Sequence, residues 1–191
     1  METLVGIAIG IGLSAACGFR VFVPLLIMNL ASLTGHLHLG SGFEWIGSHY
    51  ATIAFATATG LEILAYYIPW LDQILDILAS PIAVIAGIVA TASVVTDVSP
   101  FLKWSLAIIA GGGIAGIVQG ATSTLRLKST ALTGGFGNPL VATGELVGSV
   151  ITALLAIALP LLCLVLIVLL CFFAIRKLGR FLFRPRGKVS G

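Results

Sequence analysis

Long uncharged stretches separate the few charged residues of this chain. The longest of them run over residues 3–19, 21–43, 45–61, 77–96, 104–125, 129–144 and 146–175. About 20 apolar residues suffice for a helix to cross a bilayer, and a chain in lipid must satisfy its backbone hydrogen bonds within helices or a closed barrel. The pattern therefore predicts an all-α membrane protein.

Turn-forming residues divide these stretches further. Glycines and histidines follow Gly35, Pro69 begins a more polar stretch, and Pro160 interrupts the last run. Glycine and proline are the strongest local markers of chain breaks. The sequence predicts about six transmembrane segments, near residues 3–33, 51–69, 79–97, 104–125, 140–158 and 161–176.

The first predicted segment is too long for one bilayer crossing and contains Arg20, Pro24 and Asn29. A proline removes a backbone donor and disfavours a continuous helix before it. The fifth and sixth segments together are barely long enough for two crossings. We therefore expect broken or re-entrant helices, whose freed backbone groups must be buried in protein or line a wet cavity.

Three groups of residues occur twice in the same order. The pattern Gly-x3-Gly-x4-Ala-x4-Arg ends at Arg20 and at Arg126, the string Ala-Thr-Gly precedes Glu62 and Glu145, and a proline opens the third and the sixth segment. Three segments per half imply an inverted 3+3 repeat, as in many secondary transporters. The alternative is that the glycines only let neighbouring helices approach closely. The predicted parts are a first repeat, a second repeat and a basic tail, at residues 1–100, 101–176 and 177–191.

Four ionisable residues lie within or at the edges of the predicted segments. Arg20 and Glu62 are well inside theirs, and Arg126 and Glu145 are their repeat mates. A charge at the bilayer centre costs about 2.5 to 3.5 kcal/mol, so each is a functional candidate. Arginine suits a small anion or an anionic lipid headgroup, and glutamate suits a proton or a cation. The alternative is that two buried Arg–Glu pairs only fix helix packing.

A glycine-rich stretch at residues 133–139 precedes the fifth segment. Gly134, Gly135 and Asn138 are therefore further candidates for binding, since backbone N–H groups before a helix can hold an anion. The stretch lacks the lysine and hydroxyl pattern of a nucleotide loop, and an ordinary turn is the alternative. Asp72 and Asp76 share a helix face, as solvated charges or as partners of basic residues on the same side.

The remaining residues give little support to other chemistry. The three cysteines lie singly in apolar runs without the spacing of a metal site or a disulfide framework, and the histidines lie in loops. No hydrolase triad or zinc motif occurs. We expect no enzymatic activity, no metal and no cofactor.

Charge placement predicts the topology. Only 9% of the residues are charged, and the pI is about 9.0. Six of the ten basic residues lie between Arg176 and Lys188, which places the C-terminus in the cytoplasm by the positive-inside rule. With six crossings the N-terminus is cytoplasmic as well, and loop 34–50 is outside. The basic pI results from the charges of the tail, so nucleic acid is not an expected partner. The expected partner is the lipid bilayer.

Three strings carry a resemblance to a known family. They are residues 15–24 (AACGFRVFVP), 68–76 (IPWLDQILD) and 133–139 (TGGFGNP), the last followed by Glu145. Together they resemble the bacterial membrane protein family catalogued as domain of unknown function 4126. The resemblance implies a small polytopic protein of a bacterial inner membrane and brings no activity with it. An acidic residue is expected after Glu145 in that family, whereas this chain has Leu146.

The leading hypothesis is a transporter or channel with a midplane site for a small anion or an anionic lipid headgroup. The site comprises Arg20, Glu62, Arg126 and Glu145. The alternative is a structural or assembly protein that transports nothing. A chain of 191 residues is small for alternating access, so we also expect a homo-oligomer.

Overall fold

The computed structural model describes the backbone of residues 2–182, and their side chains except at positions 2, 69–76, 174 and 177–182. All regular structure in this part of the chain is helical. The α-helices are α1 (Glu2–Phe19), α2 (Phe22–Leu33), α3 (His49–Ala65), α4 (Pro69–Val94), α5 (Pro100–Leu106), α6 (Gly113–Thr133), α7 (Asn138–Ala158) and α8 (Pro160–Leu182). A short 3₁₀ helix, Glu44–Gly47, precedes α3, and a π-helical stretch, Ala107–Gly112, joins α5 to α6.

Helix lengths and surface chemistry fit a membrane environment. In the part of the chain that the structure describes, three helical stretches are long and apolar enough to cross a bilayer: Ile77–Val94, Pro100–Thr133 and Asn138–Ala158. Large apolar side chains such as Ile53 and Leu140 are mostly exposed. Soluble monomers rarely expose extended apolar surface, whereas lipid covers it without penalty. The chain is thus a membrane-like helical protein, and the six crossings and the side of each terminus stay predictions.

The expected break in the first segment is present. Helix α1 ends at Phe19 and α2 begins at Phe22, with Arg20 and Val21 between them. In a continuous helix the ring of Pro24 would clash with the carbonyl group of Arg20, four residues earlier. Helix α2 has 12 residues and, at about 1.5 Å per residue, is about 18 Å long, which is short for a crossing.

Other predicted boundaries are wrong. Pro81 does not open a segment but lies inside α4, which begins at Pro69. Helix α6 continues to Thr133, so Arg126 lies within a helix and not in a polar interruption. The bounds of the basic tail stay a prediction; helix α8 runs to Leu182. Of that tail, residues 183–191 lie outside the described residues.

Helix α1 lies at the centre of the bundle, against α4, α6, α7 and α8. Small residues allow this close packing, and polar side chains form hydrogen bonds between the packed helices. The hydroxyl of Ser14 donates to the carbonyl of Gly111, that of Thr91 to Gly10 at 3.1 Å, and that of Ser149 to Ala16 at 3.0 Å. Interhelical hydrogen bonds of this kind are typical of helix packing in membranes.

The glycines of the two repeated patterns pack differently. A Cβ added at Gly6 would lie 2.7 Å from the carbonyl oxygen of Val94, and one at Gly10 would lie 3.0 Å from Thr91. In the second pattern, a Cβ at Gly112 would lie 3.0 Å from the side chain of Ile88, whereas one at Gly116 would make only an ordinary contact. Close packing therefore explains both glycines of the first pattern and one glycine of the second.

Gly18 offers a test of the central packing. In Gly18→Ala the new Cβ would lie 2.6 Å from the Cβ of Val118 and 2.7 Å from the carbonyl oxygen of Ala115. Overpacking costs about 1 to 3 kcal/mol, so we expect the free energy of unfolding in detergent to fall by that amount.

The matched control is Gly120→Ala in α6, where the added Cβ meets nothing within 4 Å. This variant should unfold at or slightly above the wild-type temperature, because alanine favours helix more than glycine does. Equal stability of the two variants would contradict the close α1–α6 contact.

Candidate functional site

Four charged residues from four parts of the chain meet inside the bundle. Arg20 follows α1, Glu62 lies in α3, Arg126 in α6 and Glu145 in α7. Their exposed fractions are 2%, 8%, 3% and 5%. We call these four residues the Arg/Glu cluster. Its formal charges sum to zero, as two buried cations and two buried anions require.

Glu62 stabilises the break between α1 and α2. Its Oε1 accepts a hydrogen bond from the backbone N–H of Val21 at 2.9 Å, and its Oε2 accepts one from Phe22 at 3.1 Å. Val21, at the N-cap position of α2, gives no side-chain cap of its own. A carboxylate at a helix N-terminus is favoured by the unpaired N–H groups and by the helix dipole.

Arg126 and Glu145 form a two-point ion pair. The Nε of Arg126 donates to Oε1 of Glu145 at 2.8 Å, and its Nη2 donates to Oε2. Parallel bonds of this kind are the strongest arginine–carboxylate geometry. Both oxygens of Glu145 are therefore committed to Arg126.

Arg20 has far fewer partners. Its Nη2 donates to the carbonyl oxygen of Ala142 at 2.8 Å, and its Nε lies 4.0 Å from Oε2 of Glu145, beyond hydrogen-bond distance. The Nε and Nη1 atoms are buried without a hydrogen-bond partner among the described residues. Buried donors without acceptors cost about 1 to 3 kcal/mol each, and more when they are charged.

Tyr66 joins the two arginines and was not predicted from the sequence. The guanidinium carbon of Arg20 lies 3.9 Å from the centre of its ring, and that of Arg126 lies 4.0 Å from it. Such cation–π contacts favour a buried cation. The spacing of Tyr66 is the sequence feature that could have identified it. Tyr66 follows Glu62 by four residues, and side chains at that spacing share a helix face.

The two glutamates of the repeated sequence patterns bind different groups. After Arg20 the helix breaks, and Glu62 accepts the N–H groups that the break frees. After Arg126 helix α6 continues, so no N–H group is freed there and Glu145 binds the arginine itself. The same residue types at matching positions thus give one satisfied pair and one incompletely satisfied arginine.

The glycine-rich residues lie outside the cluster. Gly134 and Gly135 adopt positive φ angles of 63° and 95°, which form the turn after α6. The side-chain amide of Asn138 donates to the hydroxyl of Thr130 at 3.0 Å. Asn138 precedes Glu145 by seven residues, about 10 Å along α7. The geometry is that of an ordinary turn, and a role of these residues in anion binding stays a prediction.

The other sequence candidates are two aspartates and the loop histidines. The side chains of Asp72 and Asp76 lie outside the described residues. The ring Nδ1 of His36 lies 3.0 Å from the hydroxyl of Thr34, in the loop after α2. Among the residues that the structure describes, no group of three His, Cys, Asp or Glu side chains has the geometry of a metal site.

The side chains of the cluster are buried among the described residues. Its Glu145 lies about 10 Å along α7 from the start of that helix, which follows the turn after α6. A cavity of about 80 Å³ lies next to Phe19 and Val118, but its lining is mostly apolar and contains no charged residue. The cluster thus combines two arginines with the burial that is typical of a packed core.

Comparison with known proteins identifies a family without an assigned activity. The chain matches the family model described as "Domain of unknown function (DUF4126)" over residues 7–180. This confirms the resemblance drawn from the three sequence strings. No curated protein and no solved structure matches the chain.

The different pairing of the two arginines predicts different stability effects. Arg126→Met leaves Glu145 without its two-point partner, and breaking a buried ion pair costs about 3 to 5 kcal/mol. Arg20→Met removes one hydrogen bond to a carbonyl oxygen that lies within helix α7. We expect a substantially larger fall in thermal unfolding temperature for Arg126→Met, measured in detergent by circular dichroism. An equal fall for Arg20→Met would mean that Arg20 also acts mainly in folding.

Proposed function

The chain belongs to the family of the domain of unknown function DUF4126, and we propose that it is a membrane protein that binds a small anion at Arg20 and moves it across the bilayer. The anion is a small solute or the anionic headgroup of a lipid. The protein acts as a transporter or as a channel, depending on how the buried cluster becomes accessible to the anion.

The observation that carries this proposal is the state of Arg20. Its guanidinium group is buried, and two of its three nitrogens have no hydrogen-bond partner among the described residues. The nearest carboxylates are engaged elsewhere, Glu62 with backbone N–H groups and Glu145 with Arg126. An anion would supply the missing acceptors, because a guanidinium group binds carboxylate and phosphate oxygens through several donors.

The duplicated residues support a site between two halves of the molecule. Arg20 and Glu62 come from the proposed first repeat, residues 1–100, and Arg126 and Glu145 come from the second, residues 101–176. Transporters with inverted repeats bind their substrates at such an interface, next to broken helices. The α1–α2 break provides a broken helix here.

Helix α3 is the element best suited to open the cluster. It supplies Glu62, and Tyr66 follows directly after it. Ala54, Gly60 and Leu64, among its other residues, are exposed. A helix with few buried side chains resists displacement less than the central helices do. The proposal includes a bacterial inner membrane location with both termini in the cytoplasm, and an assembly of several copies.

A second candidate function is structural, and the enclosure of the cluster favours it. The four charges balance, Arg126 and Glu145 are paired, and the described cavity next to Phe19 is apolar. In this candidate the cluster fixes α1, α3, α6 and α7 together, and nothing is transported. The two candidates differ in what happens when Arg20 is removed and in whether water reaches the cluster.

Removing Arg20 tests transport directly. In proteoliposomes we expect the wild-type protein to accelerate the uptake of labelled acetate or phosphate, or the transbilayer movement of labelled phosphatidylglycerol. Arg20→Met should lower that rate at least tenfold, to the level of protein-free vesicles, while the variant stays folded. The reason is that the anion loses the guanidinium group of Arg20, whose Nε and Nη1 have no hydrogen-bond partner among the described residues.

The matched control is Lys103→Met, which removes a positive charge in α5 that contacts Phe43 and not the cluster. This variant should transport at the wild-type rate. Wild-type transport by Arg20→Met, or no transport of any of the three probes by the wild-type protein, would favour the structural candidate.

Cys17 reports whether the cluster opens. It is buried in α1, three residues before Arg20. In a variant with Cys163→Ala and Cys171→Ala, a membrane-impermeant maleimide should label Cys17 during transport of the anion and leave it unlabelled in its absence. Mass spectrometry measures the labelled fraction. A cysteine that never reacts in the folded protein would indicate a permanently closed core.

A further inference from the structure

The carboxylate of Glu62 occupies a position that has the donors of an anion site. It lies at the N-terminus of α2, a helix of 12 residues, and receives the N–H groups of Val21 and Phe22 at 2.9 and 3.1 Å. Helix N-termini bind free carboxylates and phosphates in this way. Ordinary N-caps come from the residue that precedes the helix, whereas this one comes from 40 residues further along the chain.

Arg20 adds a second donor group beside this helix terminus. Glu62 and Tyr66 share one face of α3, and the Arg20 guanidinium lies over the Tyr66 ring at 3.9 Å. Arg20 also directly precedes Val21, whose N–H group binds the Glu62 carboxylate. The unpartnered Nε and Nη1 of Arg20 are therefore buried close to the position that the Glu62 carboxylate fills.

We propose that Glu62 is a tethered anion, which holds the binding site closed until a free monocarboxylate displaces it. This inference rests on the proposed anion binding at Arg20 and names its substrate class. Two adjacent backbone N–H groups that hold the two oxygens of Glu62 can hold the two oxygens of another carboxylate. Arg20 then supplies the additional donors that Glu62 does not reach.

Charge balance links this displacement to a proton. The cluster has no net charge when Glu62 is ionised, and a bound monocarboxylate adds one negative charge. Protonation of the displaced Glu62 restores neutrality, with one proton taken up for each anion bound. An unpaired charge in a site without water is strongly disfavoured, so the two events are coupled.

Several ionisable groups of the described residues lie in or next to the cluster around Glu62. They are Cys17 of α1, Arg20 after it, Arg126 of α6, Glu145 of α7, and Tyr66 after α3. Glu145 is held in its pair by Arg126. Glu62 is therefore the carboxylate of the cluster that can change its partner without breaking an ion pair between side chains.

Glu62→Gln tests the displacement. Its side-chain amide is neutral and keeps a single acceptor atom for the helix terminus, so a free anion meets weaker competition. We expect acetate to bind the purified variant at least tenfold more tightly than it binds the wild-type protein, by isothermal titration calorimetry in detergent. The matched control is Glu44→Gln, since Glu44 also accepts a backbone N–H, that of Gly42 at 2.8 Å, but is exposed and outside the cluster.

Proton uptake provides a measurement that does not need the variant to fold. Acetate is titrated into the wild-type protein in two buffers of equal pH and different ionisation enthalpy. The difference in heat should correspond to about one proton taken up per acetate bound. Glu62→Gln, where it folds, should bind acetate with no proton uptake, and Glu44→Gln should match the wild-type protein.

The outcomes separate this inference from the proposed function. Acetate binding to the wild-type protein without proton uptake, or with no gain in affinity in a folded Glu62→Gln variant, would overturn the tethered-anion inference alone. Arg20-dependent binding of phosphate without binding of acetate would overturn it too and leave the proposed function intact. If neither anion binds the wild-type protein or Glu62→Gln, both proposals fall.

Discussion

The structure depends on satisfying the hydrogen-bonding groups of a backbone break that is buried inside the helix bundle. Pro24 keeps α1 and α2 from forming one helix, so the N–H groups of Val21 and Phe22 lack the partners that a continuous helix would provide. Each such group costs several kcal/mol in hydrocarbon when it is left unsatisfied. Glu62 accepts both, and this holds α3 against the break and places a negative charge beside Arg20.

The other charges of the cluster follow from that one. Glu62 needs cations nearby, and Arg20 and Arg126 both lie over Tyr66, the residue one helical turn after it. Glu145 then restores neutrality and takes Arg126 as its partner. A buried ionic group is rarely more stable than a well-packed apolar one, so folding alone gives little reason to retain four charges here. Arg20 has the fewest hydrogen-bond partners of the four, so folding gives the weakest explanation for its presence.

The sequence predicted the break and the membership of the cluster, because both follow from residue types that are costly in lipid. A proline four residues after an arginine in an apolar run indicates interrupted geometry, and repeat mates indicate a shared location. It did not predict that Pro81 lies inside α4 or that α6 continues past Arg126, since tertiary packing decides whether a helix tolerates such residues. Tyr66 and the carbonyl of Ala142 were missed because aromatic rings and backbone groups give no charge signal.

The difference in pairing between Arg20 and Arg126 is more informative about function than the similarity of their sequence patterns. If the cluster only held helices together, the two arginines would be expected to be equally well satisfied, since each has a repeat-related glutamate. Instead Glu145 binds its arginine through two hydrogen bonds, whereas Glu62 binds a helix terminus and leaves Arg20 with unpartnered nitrogens. The broken helix causes this difference, because a continuous α2 would need no carboxylate at its start. The break therefore leaves Arg126 paired with a carboxylate and Arg20 with buried donors that no described group accepts, and these donors are the basis of the proposed anion binding.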